Sequence, residues 1–185
     1  MPGRTVPAGV VLCSVGHGTA SPDELLGRLS LGGVRALVDI RTAPGSARHP
    51  HVNRDELASW LPAAGIAYRW EKRLGGFRKP APDSPDVVWR NESFRGYAGY
   101  LRTPSARAAL DDLVAQAATA PTAYMCSETV WWRCHRRLVS DALVLLYDVP
   151  VIHLMPGKTT RHSPTPGVRV VDGQLVYDDV DAAGG

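Results

Sequence analysis

Residues 10–40, VVLCSVGHGTASPDELLGRLSLGGVRALVDI, read as strand, loop, helix, loop and strand. Val10 to Val15 is an apolar run with Ser14 its one polar member, the mark of a strand covered on both faces, and it ends in Gly16-His17-Gly18, a tight loop. Ser21 then stands as a helix N-cap, with Pro22 in the first helical position and Glu24 three residues on to complete a capping box. Leu25, Leu29 and Leu26 supply an apolar stripe until Gly32-Gly33 stops it. Ala36 to Ile40 is a second apolar run, closed by Asp39 and followed by Arg41. Two covered strands joined through a helix form a parallel crossover unit, which points to an α/β protein.

Outward from that unit the pattern repeats. The loop from Arg41 through Pro50 leads to Asn53 and Glu56, a second capping signal, and a helix over Leu57, Trp60 and Leu61 that Pro62 and Gly65 shorten or bend. Ile66–Trp70 reads as a third strand, and residues 74–91, rich in Gly, Pro and charge, as a long loop. Helices are expected over Glu92–Leu101 and Ser105–Ala118, a fourth strand over Thr122–Met125, a helix over Cys134–Tyr147 and a fifth strand over Val149–Leu154. Val168–Val171 and Gln174–Tyr177 flank Asp172-Gly173, a pair suited to a type I′ hairpin turn. The expected architecture is one α/β domain over residues 1–185. It has a mostly parallel sheet of about five strands with helices on both faces, a core over about residues 12–155, and an extension over residues 156–185 that carries a small hairpin.

Composition sets the outer bounds. Apolar residues make up 44% and charged residues 21%, ordinary for a globular domain, and no apolar run reaches the roughly 18 residues of a spanning helix. The start of the chain lacks the order of a secretory signal. Three cysteines, Cys13, Cys126 and Cys134, are too few and too odd in number for a disulfide framework. The expected setting is the reducing cytoplasm, with no membrane contact. Between Arg41 and Arg102 there are 11 basic and 6 acidic residues, a local surplus that suits an anionic small molecule or nucleotide, and also nucleic acid.

A parallel sheet gathers functional groups outside the carboxyl ends of its strands. Here those ends carry His17, Asp39 with Arg41, the Gly75-Gly76 loop, and Cys126 with Glu128. The segment YMCSETVWWRCHRR, Tyr124–Arg137, is the densest chemical signal. Cys126, at a strand end facing a following helix, is the candidate nucleophile, because a helix N-terminus favours thiolate. Glu128 and His135 are candidates for proton transfer, His17 joins them as a presented imidazole, and Cys134 is a second thiol. Asp39 and Arg41 share a strand face, so they either pair internally or point jointly into a cleft. Arg41, Arg48 and Arg136 are candidate anion-binding groups, and Trp132, beside Trp131, a candidate stacking surface.

Cys126 and Arg133 are separated by six residues where a phosphatase loop requires five, whereas a rhodanese-like arrangement, with cysteine at a strand end, fits. No Cys-x-x-Cys or His-x-x-x-His spacing supports a metal, so none is assigned, and the residues name no cofactor. The leading expectation is an enzyme with a Cys/Glu/His site, acting as transferase, hydrolase or redox enzyme. A nucleic-acid or nucleotide-binding module without turnover is the first alternative, and a metal-dependent hydrolase the second.

Four separated motifs carry a resemblance. SVGHG, LVDIRTAPGSARHPHVN, LGGFRKPAPDSPDVVWRNESFRGYAGYL and MCSETVWWRCHRRLVSDAL stand in the order found in the domain-of-unknown-function 488 family, and the resemblance spans about Leu12 to Met155. Ser127 and Trp131 depart from the alanine and proline usual there. The resemblance implies that His17, Asp39, Arg41, Arg48, Gly75, Gly76, Cys126, Glu128, Cys134, His135 and Arg136 occupy motif positions, without implying a reaction.

Overall fold

The computed structural model describes residues 6–184. Its first unit is β1 (Leu12–Gly16), α1 (Pro22–Leu31) and β2 (Ala36–Asp39). The Ser21 hydroxyl accepts from the Glu24 amide at 3.2 Å and the Glu24 carboxylate accepts from the Ser21 amide at 2.8 Å, so the capping box forms in full. Then follow α2 (Arg54–Ala63), β3 (Ala67–Trp70), α3 (Glu92–Leu101), α4 (Pro104–Ala117), β4 (Thr122–Cys126), α5 (Arg136–Tyr147) and β5 (Val151–Met155). The chain ends in β6 (Lys158–Arg161), the hairpin of β7 (Val168–Val171) and β8 (Gln174–Tyr177), and the short α6 (Val180–Ala183). Residues 71–91 form a 3-10 turn over Lys72–Leu74 and otherwise an irregular loop.

The main sheet has six strands in the order β3-β2-β4-β1-β5-β6. The first five are parallel, and β6 returns antiparallel to β5. The sequence reading missed β6 because four exposed residues, KTTR, bring no apolar signal. One cluster of buried side chains joins Leu12, Val38 and Tyr124 to α3, α4 and α5, and a second joins Cys13, Val15, Leu37 and Met125 to α1 and α2. Alternate residues of each strand therefore serve opposite layers. In the separate hairpin, Asp172 (φ 51°) and Gly173 (φ 72°) are both left-handed, as a type I′ turn requires.

One local expectation needs correcting. The Asn53 side chain does not cap α2; it accepts from the Ser46 amide and so ties down the loop after β2. The helix also carries Pro62 inside its last turn and ends at Ala63. Among the described residues no helix is long and apolar enough to cross a membrane.

Candidate functional site

Strand order decides what meets. Because β4 lies between β2 and β1, their carboxyl ends stand side by side, with Asp39 in register with Met125 and Gly16 in register with Cys126. Asp39 accepts from Arg41 Nε at 2.9 Å and Arg41 Nη2 at 2.6 Å, and from the Tyr68 hydroxyl at 2.7 Å. Arg41 also donates to the Val52 carbonyl at 2.7 Å. The pair is internal, and it is fixed at both ends.

The third donor arm of Arg41, Nη1, lies 3.2 Å from His17 Nε2, and His17 Nδ1 lies 2.9 Å from the Gly18 carbonyl. Nδ1–H therefore donates to the carbonyl and Nε2 accepts from the guanidinium, which is the neutral imidazole. Burial, with the Arg41 charge adding to it, lowers the His17 pKa from 6.5 to about 4, against the smaller opposing pull of the Gly18 carbonyl. A consequence for stability follows. Between about pH 6.5 and pH 4 the unfolded chain takes up a proton that the folded chain refuses, so stability is full above this window and falls as pH drops through it. The His17 contribution is on the order of 3 kcal/mol. Urea unfolding measured against pH is expected to show this loss in the wild type and a flatter curve in His17→Gln; parallel curves would refute it.

On the other face of the sheet edge, Cys126, Cys134 and His135 meet. His135 Nδ1 lies 3.8 Å from Cys126 Sγ and 3.5 Å from Cys134 Sγ, and Nε2 lies 3.1 Å from the Ile40 carbonyl. Tyr97, from α3, backs the imidazole edge-on at 5.1 Å between ring centroids, and its hydroxyl donates to the Leu74 carbonyl at 2.7 Å. Gly76 is what lets the β3–α3 loop lie against this ring: a Cβ there would sit 3.0 Å from His135 Nδ1. Gly16 serves the same end on β1, since a Cβ there would strike the Glu128 carbonyl.

These groups floor a cavity of about 480 Å³. His17, Arg41, Ser46, Glu128 and Arg133 give it polar walls, and Phe77, Phe94 and Tyr97 an apolar one. Phe77 is 85% exposed at the rim and holds a left-handed backbone (φ 61°), a conformation a non-glycine residue keeps only where its surroundings impose it.

The two thiols are unequal. Cys126 is pushed up to about 12, first by its hydrogen bond with Cys134 and then by burial. Burial alone would raise Cys134 too, but the Cys126 hydrogen bond and the charge, amide and side chain of Arg136 outweigh it and bring the thiol down to about 6. The sequence points to Cys126 as the nucleophile, whereas here the lower pKa falls on Cys134. The physical reason is placement: Cys126 is followed by a loop and a 3-10 turn over Trp131–Arg133, whereas Cys134 stands two residues before α5 and meets its N-terminus. Cys13, raised to about 11 by burial, faces α1 and α2 on the far side of the sheet.

A family model described as a domain of unknown function, DUF488, matches residues 21–143, well over half of the chain. The chain belongs to the DUF488 family. No curated protein and no solved structure gives a match. The span matched to DUF488 includes Asp39, Arg41, Cys126, Glu128, Cys134, His135 and Arg136, while β1 with His17 lies outside it.

Within this DUF488 chain the remaining candidates scatter. Glu128 is exposed on the cavity wall, Gly76 lines the cavity, and Gly75 packs on Thr42. Arg48 is exposed and outside the cavity, and Trp132 is 45% exposed, also outside it. Trp131 is stacked on His153, with ring centroids 4.2 Å apart. Arg136 is fully buried and is not among the residues that line the cavity. It donates to the Glu128 carbonyl, to the Thr129 carbonyl at 3.4 Å and to Ser14 Oγ at 3.1 Å.

Sequence reasoning missed Tyr97, Phe94 and Phe77 as cavity walls and a buried polar chain behind the site. Ser14 Oγ lies 2.8 Å from His153 Nδ1, His153 Nε2 2.9 Å from His162 Nδ1, and His162 Nε2 2.8 Å from Asp141 Oδ1. Asp141 also accepts from the Thr165 amide at 2.9 Å and the Tyr177 hydroxyl at 2.9 Å. The hydrogen bonds link Arg136 through Ser14, His153 and His162 to Asp141 in one buried chain. The available signal was His153 inside an otherwise apolar strand, a buried polar group that needs a partner.

Proposed function

We propose that this chain is an enzyme that uses Cys134 as a thiolate nucleophile on a small molecule bearing an anionic group, in the cavity outside the carboxyl ends of β1, β2 and β4. The observation that carries this reading is the meeting of Cys126, Cys134 and His135 on the cavity floor, beside the amide and guanidinium of Arg136. Cys126 donates its thiol proton toward Cys134, and His135 Nδ1 stands within reach of both sulfurs. Glu128, on the wall, is placed to exchange a proton with a leaving group or with water. Transfer or hydrolysis through a sulfur-bound intermediate is the chemistry such a set supports.

For the substrate, Arg133 is the guanidinium that lines the cavity and is exposed at its rim, since Arg41 already spends its fork on Asp39. A phosphate, sulfate or carboxylate suits it. Phe77, Phe94 and Tyr97 offer a surface for a ring or alkyl portion. The nucleic-acid reading draws on residues that have partners within the fold: Trp131 on His153, Arg73 on Glu71 and Asp112, and Arg78 over the Tyr100 ring.

Iodoacetamide labelling mapped by mass spectrometry tests the proposal. Cys134 is expected to react first, ahead of both Cys126 and Cys13. Saturating phosphate is expected to slow labelling of Cys134 in the wild type and not in Arg133→Ala, while Arg107→Ala, on α4 outside the cavity, keeps the protection. Labelling that starts at Cys126 or Cys13, or that phosphate leaves untouched, would remove the nucleophile or the anion site respectively.

A further inference from the structure

The same three side chains have a geometry that goes beyond covalent chemistry. Cys126 Sγ, Cys134 Sγ and the ring nitrogen of His135 all lie within 4.8 Å of one another. A tetrahedral zinc ion, with Zn–S near 2.3 Å and Zn–N near 2.0 Å, holds its sulfur and nitrogen ligands roughly 3.5 Å apart. The two distances from His135 Nδ1 to the sulfurs are 3.5 Å and 3.8 Å, so the donors already stand at about the separation that coordination demands. The imidazole is also oriented for it. Its Nε2–H donates to the Ile40 carbonyl, which fixes the tautomer with the Nδ1 lone pair toward the sulfurs, and Tyr97 holds the ring from behind. Metal-bound histidines are set by outer contacts of this kind.

We propose that Cys126, Cys134 and His135 form a three-ligand site for a soft divalent cation, zinc above all, with the fourth position open to the cavity. Two sulfurs and an imidazole select zinc and its neighbours over magnesium or calcium, which require oxygen. Among the described residues no carboxylate joins the cluster, and Glu128 stands on the cavity wall outside it. The fourth position is thus left to water or to an anionic ligand. Two thiolates neutralise a divalent ion, while the Arg136 charge next to Cys134 works against it. The affinity is accordingly expected to fall below that of a four-ligand structural zinc site. The spacing Cys-x7-Cys-His matches no common zinc motif, because the first ligand ends a strand and the other two precede a helix across a loop.

An ion here takes the lone pair that Cys134 would use for attack, so metal occupancy and covalent chemistry exclude each other. The metal site does not depend on the nucleophile reading, since the donors converge whether or not Cys134 ever attacks a substrate.

The test uses the full chain, reduced and stripped with a chelator, then titrated with zinc against a chromophoric competitor and separately with cobalt. One equivalent is expected to bind, with thiolate-to-cobalt charge-transfer absorption and with Cys134 shielded from iodoacetamide. Cys126→Ser, Cys134→Ser and His135→Gln are each expected to weaken binding by at least about tenfold, and Cys13→Ala to leave it unchanged. Zinc that binds all four variants alike, or cobalt without the sulfur band in the wild type, overturns the proposal; the second outcome holds even if a variant fails to fold. Phosphate-sensitive labelling of Cys134 in metal-free protein is read separately. Its absence with metal binding intact would sink the enzyme reading alone, and its presence without metal binding would sink the metal site alone.

Discussion

Asp39→Asn is expected to lower the free energy of unfolding by on the order of 3–5 kcal/mol, the cost of leaving a buried charge without its partner. Asp39 is wholly buried, and each of its carboxylate oxygens is engaged by Arg41, with the Tyr68 hydroxyl as a further donor. An asparagine would keep the size and lose the charge, and its NH2 group would face the donors of Arg41 or Tyr68 in place of an acceptor. Arg41 would then be a guanidinium at 6% exposure with no carboxylate, answered by one amide oxygen, the Val52 carbonyl and His17. The loss reaches the site as well, because Arg41 positions His17 and lines the cavity. Phosphate is therefore expected to protect Cys134 less in this variant. Asp83→Asn, in the exposed part of the loop before α3, is expected to change stability by less than about 0.5 kcal/mol. Urea unfolding of the two variants side by side checks this, and equal midpoints would mean that the pair contributes nothing.

How much of this was legible in the sequence depends on how local the cause is. The Ser21-Pro22-Glu24 start of α1 and the Asp172-Gly173 turn are fixed by a few neighbouring residues, and both form where the residues place them. The gathering of His17, Asp39, Arg41 and Cys126 at strand ends follows from parallel topology alone. Which ends become neighbours does not: the insertion of β4 between β1 and β2 is a tertiary choice that no local pattern encodes, and it is this choice that sets Gly16 beside Cys126. The inequality of the thiols was hidden for the same reason, since it depends on where α5 begins and on the direction of one arginine. Even so, that direction left a trace. Arg136, Val139, Ser140 and Leu143 recur at the spacing of one helix face, and all four are buried, so Arg136 sits in apolar register where Arg137 does not.

Arg136→Met should then affect stability and thiol chemistry together. The substitution keeps the bulk of the aliphatic stem and removes every donor, leaving the Glu128 and Thr129 carbonyls without their partner and Ser14 without the first link of its chain. Loss of several buried hydrogen bonds to a charged group is expected to cost about 2–4 kcal/mol. The hydrogen-bond partners of Arg136 among the described residues are carbonyls and a hydroxyl, none of them a carboxylate, so under the proposed reading a Cys134 thiolate would be the group that answers its charge. With the guanidinium gone, alkylation of Cys134 is expected to need a higher pH, whereas a residue that only props the fold would lower the melting temperature and leave the labelling profile where it was. Arg136→Lys separates charge from shape. An ammonium restores a positive charge near the sulfur but cannot fork between the 128–129 carbonyls and Ser14. It is expected to recover part of the Cys134 labelling at neutral pH and little of the stability. If labelling against pH is the same in all three proteins, the low pKa of Cys134 has another source and the nucleophile assignment must move with it.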